Sequence, residues 1–139
     1  MSWHRPIARR RGAPRARPVA AAPALPGVSA AEAAALQRVA RATFPHARAG
    51  AGVRLVHLFS LIAKLEHDPE PPTAARLAVL TGLTESGVHR LIMRLVAGGF
   101  IERSTIPAKQ HRGRSLRLAV AESEEARRLG TQLAEAAPA

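Results

Sequence analysis

The side chains best placed to do chemistry in this sequence lie close together, between Thr84 and Gly99. They carry hydroxyl, imidazole and guanidinium groups: Ser86, His89, Arg90 and Arg94. Their spacing puts them on one side of a helix, because residues three and four positions apart are neighbours on a helix surface. Such groups hydrogen-bond to phosphates and to the edges of bases. This face can therefore enter a nucleic-acid groove, and it can equally be an ordinary solvated helix face.

Other kinds of chemistry have little support in the sequence. The six histidines do not have the spacing of metal ligands on one helix, and the chain contains no cysteine. His57 lies in an apolar segment, where we expect a satisfied core or interface histidine. Ser86 can be imagined as a nucleophile at a helix N-terminus, but contact with phosphate or a base needs fewer assumptions. No Gly-rich loop between a strand and a helix predicts a nucleotide site. We expect no enzyme activity, no cofactor and no metal.

The segment that positions the polar side chains is predicted to be a helix over residues 85–97. Thr84 has the side chain of an N-cap, and Leu83 with Val88 can form a hydrophobic staple. Apolar residues recur at helical spacing on the opposite face: Val88, Leu91, Ile92, Leu95 and Val96. Gly98 and Gly99 provide a C-terminal cap.

A second helix is predicted immediately before this one. It runs from Ala74 to about Thr81, with Thr73 as its N-cap and Gly82 at its end. A helix, a tight turn containing Gly and a second helix form a helix-turn-helix unit.

Two strands are predicted after the second helix, over residues 100–103 and 115–120. Apolar and polar residues alternate in the later strand, which is typical of a strand with one buried face. A polar, basic tip over residues 107–114 separates them. A helix-turn-helix followed by a basic hairpin is a winged helix, so we expect a mainly α fold with a small β-wing.

Helices are predicted on both sides of this winged helix-turn-helix. The first, over residues 29–44, opens with a capping-box pattern, and a loop over residues 46–52 follows it. A helix over residues 53–67 is apolar nearly all round, which is typical of a helix buried in the middle of a domain. The last helix covers residues 123–136. Apolar stripes on the first and last helices can fold back on the central helix, but we favour their use in a homodimer.

The charge of the chain favours an anionic partner. The 139 residues carry a formal net charge of +11. From residue 85 to residue 117 we count seven basic and two acidic side chains, or 7 − 2 = +5. Positive charge is therefore concentrated on the predicted helix and wing, as expected of a nucleic-acid surface. No apolar run approaches the ~18 residues that span a bilayer, so we expect no membrane partner.

The N-terminal residues 1–27 are predicted to be a disordered basic arm. They contain six arginines, five prolines and no acidic residue. Such an arm can bind phosphate non-specifically, and it can equally be a poorly constrained extension. A secretory signal is disfavoured because prolines interrupt its apolar part. The remaining residues, 28–139, form the predicted winged helix-turn-helix domain with its terminal helices.

Residues 83–103 and 110–118 carry a resemblance to a known family. LTESGVHRLIMRLVAGGFIER and QHRGRSLRL resemble the turn, recognition helix and wing of bacterial MarR-type winged-helix regulators. The resemblance covers about residues 53–133. The same core also resembles, less closely, the DNA-binding domain of IclR-type regulators. Two features depart from the MarR pattern: Gly87 replaces a small hydroxyl residue, and only about 20 residues follow the wing.

The resemblance implies a set of DNA-contacting residues. On the recognition helix, residues 85–97, these are Thr84, Glu85, Ser86, Gly87, His89, Arg90 and Arg94, which face the major groove or its flanking phosphates. In the wing, residues 104–115, the basic residues Lys109, Arg112 and Arg114 join them, and the resemblance places Arg112 or Arg114 in the minor groove.

Together these observations predict a sequence-specific, DNA-binding transcriptional regulator. We expect it to be bacterial and cytoplasmic, to bind double-stranded DNA and to form a homodimer; a small-molecule effector stays unknown. The alternative is a winged-helix protein-interaction or architectural module of a DNA replication or partition complex. The basic wing favours DNA, whereas an apolar patch on the reading helix, where Met93 is the one candidate, favours protein.

Overall fold

The described residues form five helices and one antiparallel pair of strands. The structure is a computed structural model and describes residues 25–70, 72–107 and 114–138, without the side chains of residues 49, 105–107, 114–116. In chain order the elements are α1 (Ala30–Thr43), α2 (Ala49–Leu65), α3 (Ala74–Thr81), α4 (Glu85–Ala97), β1 (Ile101–Pro107), β2 (Arg114–Val120) and α5 (Glu124–Ala136). This order confirms the mainly α fold with a small β-wing, a winged helix-turn-helix between two flanking helices.

The core is built around α2, as its apolar composition predicts. The helix buries side chains around almost its whole circumference: Val53, Leu55, Val56, Leu58, Phe59 and Ile62. Helices α1, α3 and α4 and strand β2 all contact it. The three phenylalanines of the chain meet beside α2, with the ring of Phe100 5.3 Å from that of Phe44 and 6.4 Å from that of Phe59. The core is otherwise aliphatic.

The start of α2 differs from the prediction. A loop was expected over residues 46–52, but the helix already begins at Ala49. It ends at Leu65, two residues before the predicted end. Gly50 and Gly52 have low helix propensity, which is why the sequence indicates a loop. A Cβ built on Gly52 would lie 3.4 Å from the Cβ of Ala40 in α1. Close packing of the two helices therefore overrides the local propensity.

The helix-turn-helix has the caps that were predicted. The Thr73 hydroxyl oxygen accepts a hydrogen bond from the Arg76 N–H at 3.1 Å, and the Thr84 hydroxyl oxygen accepts one from the Gly87 N–H at 3.0 Å. Gly82 ends α3 with φ +73°, a left-handed conformation that glycine adopts without a steric penalty. At the end of α4, Gly99 rather than Gly98 takes this conformation, with φ +83°.

The wing strands extend further toward the tip than predicted. The register runs from the pair of Ile101 with Val120 to the pair of Pro107 with Arg114. Residues 104–107 and 114, expected in the connection, are therefore strand, and Phe100 precedes β1 rather than belonging to it. The main-chain ladder explains the difference, since it forms without the apolar alternation that marks a strand in sequence.

The flanking helices bury their apolar stripes within a single chain. Leu36 and Val39 of α1 are 9% and 4% exposed, and Leu129 of α5 is 1% exposed. Helices α1 and α5 also contact each other, and the Thr43 hydroxyl donates a hydrogen bond to Oε1 of Gln132 at 2.9 Å. These stripes are therefore covered within one chain, and their use in a dimer stays a prediction.

Of the predicted arm, residues 1–24 lie outside the described residues. The last part of it belongs to the folded unit, since Leu25 is half-buried and packs against the core together with Val28. The backbone of Leu25 also accepts a hydrogen bond from the Val28 N–H at 3.1 Å.

Candidate nucleic-acid interface

Helix α4 divides into a buried apolar face and an exposed polar face. Val88, Ile92 and Leu95 are at most 3% exposed and hold the helix against the core. The exposed side carries the polar set predicted to contact DNA: Ser86, His89, Arg90 and Arg94. Met93 also lies on this side and is 48% exposed. The exposed face therefore combines two guanidinium groups, one imidazole, one hydroxyl and one apolar side chain on a well-anchored helix.

Three further predicted residues lie at the N-terminus of α4, and each has a different environment. The hydroxyl of Thr84 is engaged in the helix cap, and Glu85 is exposed in the first turn, where a carboxylate suits the helix dipole. Gly87 is half-buried, and a Cβ built there would lie 3.2 Å from Oγ1 of Thr84. Gly87 thus offers only its backbone to a ligand, and its small size keeps the cap undisturbed.

The wing tip contains the remaining predicted residues. Lys109 and Arg112 lie outside the described residues, and Arg114 is described only as the first backbone position of β2. Two exposed cations on the described strands, Arg103 and Arg117, were not among the predicted site residues. The signal that could have found them was the excess of positive charge between residues 85 and 117, which includes both.

The base of the wing is tied to the helices by two side chains that sequence reasoning missed. Oε2 of Glu66, just past the end of α2, accepts a hydrogen bond from the Val120 N–H at 2.6 Å. The Ser123 hydroxyl donates to the Gly99 carbonyl at 2.5 Å and accepts from the Ala126 N–H at 3.0 Å. These bonds join α2, the end of α4 and the start of α5 to the wing, and so orient the wing relative to α4.

A cleft of about 160 Å³ lies beside the turn between α3 and α4. It is lined by residues 81–83 of the turn, by Leu25 and Pro26, and by Arg54 and His57 of α2. Arg54 is exposed and adds a further cation near the N-terminus of α4.

His57 is buried, as predicted, and only 5% exposed. Burial lowers the pKa of this imidazole below its ordinary value of 6.5; the positive charge of Lys64 lowers the pKa further, and the negative charge of Glu32 opposes the shift. Among the described residues no hydrogen bond to the imidazole is seen, and the expectation of a satisfied histidine stays a prediction.

Two further features concern the part of the chain that the structure describes. The described residues contain no cluster of three or more His, Asp or Glu side chains that could hold a metal ion. Their helices are also too short or too polar for any of them to cross a bilayer.

Residues 55–105 match the IclR helix-turn-helix domain family. The match runs from within α2 to within β1 and so includes both helices of the helix-turn-helix and the start of the wing. Together with the fold, it identifies this part of the chain as a winged helix-turn-helix domain of the DNA-binding kind. It does not support the MarR type specifically, and it favours the IclR type that the sequence analysis placed second.

The fold is also similar to a solved structure, the crystal structure of RV1404 from Mycobacterium tuberculosis. The two chains share 20% identity with a TM-score of 0.51, and the similarity covers 76% of this chain and 63% of that chain. This chain thus spans less than two thirds of RV1404, and the likeness concerns the fold alone. No curated protein matches the chain.

Proposed function

We propose that this chain, whose residues 55–105 match a DNA-binding domain family, is a sequence-specific transcriptional regulator. In this proposal α4, the recognition helix of residues 85–97, enters the major groove, and the wing of residues 104–115 reaches the minor groove. The observation that carries the proposal is the exposed face of α4, where Arg90 and Arg94 stand on a helix held by a buried apolar face. A major groove about 12 Å wide admits such a helix.

The predicted contacts divide by the chemistry of their side chains. Arg90 and His89 can reach base edges, while Arg94 and Ser86 can bind bases or flanking phosphates. We also propose contacts by Thr84, Glu85 and Gly87; the hydroxyl of Thr84 caps the helix, and Gly87 offers only its backbone. In the wing we propose phosphate or minor-groove contacts by the basic residues Lys109, Arg112 and Arg114.

The charge distribution supports the same surface. Exposed Arg103 and Arg117 place positive charge on the strands next to α4, and exposed Arg54 places it beside the turn of the helix-turn-helix. Lys and Arg that neutralise phosphates supply most of the non-specific affinity for DNA. The C-terminal residues 122–139 are locally acidic, with two arginines and four glutamates, 2 − 4 = −2, and are less suited to DNA.

The experiment that tests this function is selection from a random duplex library. The protein is mixed with the library, and the retained DNA is sequenced over successive rounds. Sequence-specific binding enriches one motif, and the affinity for that motif should exceed the affinity for random duplex by at least roughly a thousandfold. Retention without enrichment would indicate non-specific binding, and absence of retention would contradict DNA binding altogether.

We further propose that the regulator acts in the bacterial cytoplasm as a homodimer. A single winged helix reads only a few base pairs, and dimers gain affinity by placing two reading helices about one DNA turn, ~34 Å, apart. The burial of the α1 and α5 stripes within one chain favours a dimer interface elsewhere on the surface. A palindromic motif from the selection, with a dimer in sedimentation, is the expected result.

A second function is favoured by exposed apolar side chains on the helix-turn-helix. Val79 of α3 is 81% exposed and Met93 of α4 is 48% exposed. Such residues suit the alternative, a winged-helix protein-interaction module of a DNA replication or partition complex. The same selection separates the two functions, because the alternative predicts no enriched motif.

A further inference from the structure

Met93 is an apolar side chain in the middle of the exposed polar face of α4. It is 48% exposed and lies four positions after His89 and three positions after Arg90. Residues three and four positions apart are neighbours on a helix surface, so Met93 adjoins both of them. Helical side chains lean toward the N-terminus, which directs Met93 over the turn that carries His89 and Arg90. The exposed face therefore presents one apolar group among its polar ones.

The packing of α4 does not require an apolar residue at this position. The side chains that hold the helix against the core are Val88, Ile92 and Leu95, on the opposite face. Among the described residues, the other large apolar side chains that are exposed, Val79 and Leu80, belong to α3. The role of Met93 therefore depends on what the exposed face of α4 binds.

The neighbours of Met93 indicate which partner suits this face. Arg90 and Arg94 are exposed cations. An apolar protein surface would remove water from both guanidinium groups without neutralising them, which is unfavourable. DNA offers phosphates and base acceptors to the guanidinium groups, and its major groove also accepts an apolar side chain. The composition of the face therefore favours DNA over an apolar protein surface.

The chemistry of the major groove specifies the group that Met93 can contact. The base edges display hydrogen-bond donors and acceptors there, and thymine adds an apolar C5-methyl group. A thioether donates no hydrogen bond and is only a weak acceptor, so it is poorly suited to the polar groups. The unbranched, polarisable side chain of Met adapts well to an irregular apolar surface. A thymine methyl is therefore the group that suits Met93.

We propose that Met93 is a specificity-determining residue that contacts the C5-methyl of a thymine in the DNA site. This inference rests on the proposed function, in which α4 enters the major groove. Met93 and Arg90 are separated by about 4.5 Å along the helix axis, and successive base pairs are separated by about 3.4 Å along DNA. The thymine therefore lies about one base pair from the base that Arg90 reads.

The test uses duplexes of the selected motif in which the thymines are replaced, one at a time, by deoxyuridine. Deoxyuridine pairs with adenine in the same way and lacks only the methyl group. The full-length protein should bind one of these duplexes roughly fourfold more weakly than the parent motif, the loss expected for one buried methyl group. Met93→Ala should bind the parent motif and that duplex with equal affinity, because the contact that distinguishes them is removed.

Two further variants test whether the effect belongs to the apolar side chain of Met93. Met93→Leu keeps an apolar side chain of similar volume and should keep the preference for thymine over deoxyuridine. Val79→Ala is the matched control, because it shortens an apolar side chain that is 81% exposed on α3. It should bind every duplex as the unmodified protein does. Circular dichroism verifies that each variant is folded.

Two results would overturn the inference and leave the proposed function intact. The first is a selected motif in which no replacement of thymine by deoxyuridine changes the affinity. The second is a loss on deoxyuridine that is equally large in Met93→Ala, which would show that another residue reads the methyl group and would leave Met93 to a protein partner. If the library yields no enriched motif, the proposed function fails, and the thymine contact fails with it.

Discussion

Arg90 is one of two exposed arginines of α4, and its guanidinium can make two hydrogen bonds to one base. The planar fork matches the O6 and N7 acceptors of guanine in the major groove. A base contact of this kind discriminates between sequences, whereas a phosphate contact does not. A substitution of Arg90 therefore distinguishes a face that reads bases from a face that binds phosphates only.

Arg90→Ala should weaken binding to the selected motif by ~1–3 kcal/mol and change the base preferred at one position. The measurement is titration of the variant with the selected motif and with random duplex. Arg127→Ala is the control, since Arg127 is an exposed arginine on α5. An identical loss on motif and random DNA would show that Arg90 binds phosphate only.

His57 is the buried residue whose protonation couples stability to pH. Burial, and then the charge of Lys64, lower its pKa in the folded state, while the nearby Glu32 acts in the opposite direction. The unfolded chain, with an ordinary pKa near 6.5, binds more protons than the folded chain just below that pH. The contribution of His57 to the free energy of unfolding is therefore lost as the pH falls through about 6.5.

Replacing His57 by Leu should flatten this pH dependence. We expect the melting temperature of the unmodified protein to fall between about pH 7.5 and about pH 5, and that of His57→Leu to fall less. His89→Leu is the control, because His89 is exposed on α4. Equal pH dependence of the unmodified protein and His57→Leu would contradict the coupling.

At the scale of elements, the wing depends on Glu66 for its position. An acid at the C-terminus of a helix interacts unfavourably with the helix dipole, so the position of Glu66 after α2 must be stabilised by another interaction. This interaction is the hydrogen bond that Glu66 accepts from the Val120 N–H, a part-buried donor at the edge of β2. His67 lies 3.3 Å from the other carboxylate oxygen but is itself exposed.

Glu66→Ala should destabilise the domain by ~1–3 kcal/mol, because it leaves the Val120 N–H unpaired. It should also speed hydrogen exchange of the Val120 amide and weaken motif binding through a looser wing. Glu66→Gln keeps an acceptor oxygen and should retain most of the protection. Equal exchange rates at Val120 in the Ala and Gln variants would show that the bond does not hold the wing.

At the scale of the whole molecule, the chain covers its own terminal helices. Leu36 and Leu129 are 9% and 1% exposed without a second copy, so Leu36→Glu with Leu129→Glu places two carboxylates in the core. An unpaired buried charge costs several kcal/mol, against a total stability of ~5–15 kcal/mol. The sequence alone predicts a folded monomer from this double change.

From the structure we expect instead that the double variant unfolds, as followed by circular dichroism. Ala34→Glu with Ala134→Glu is the matched control, since both alanines are exposed on the same two helices. The opposite result would be a double Leu variant that stays folded and sediments as a monomer while the unmodified protein sediments as a dimer. That result would support a dimer interface made of the stripes of α1 and α5.

The N-terminal residues 1–27 are expected to affect both DNA binding and the stability of the whole molecule. All six of its arginines lie within residues 1–24, whereas Leu25 packs against the core. Deleting residues 1–24 should leave the melting temperature unchanged and make non-specific DNA binding less salt-dependent, by up to ~0.9 in the log–log slope per lost phosphate contact. Deleting residues 1–27 should also lower the melting temperature. An unchanged salt slope in the shorter deletion would show that the arginines do not bind DNA.

Much of the helix-turn-helix could be predicted from the sequence because its signals are local. The caps at Thr73 and Thr84 act on N–H groups three residues away, and Gly82 ends α3 through its own backbone angle. The apolar face of α4 follows from helical spacing within one segment. The polar face opposite it, with Arg90 and Arg94, was therefore predictable from the same spacing.

The tertiary structure decided what depends on residues far apart in the chain. Glu66 meets Val120 across 54 positions, and Thr43 meets Gln132 across 89, and neither pair has a signal in the sequence between them. Gly50 and Gly52 indicate a loop, and only the packing of Ala40 in α1 against Gly52 shows why the helix starts before them. The apolar stripes of α1 and α5 are equally suited to a second copy and to the chain's own α2. The folded chain buries Leu36 and Leu129 within itself, which the sequence could not show because apolar surface is buried with no preference for the molecule that covers it.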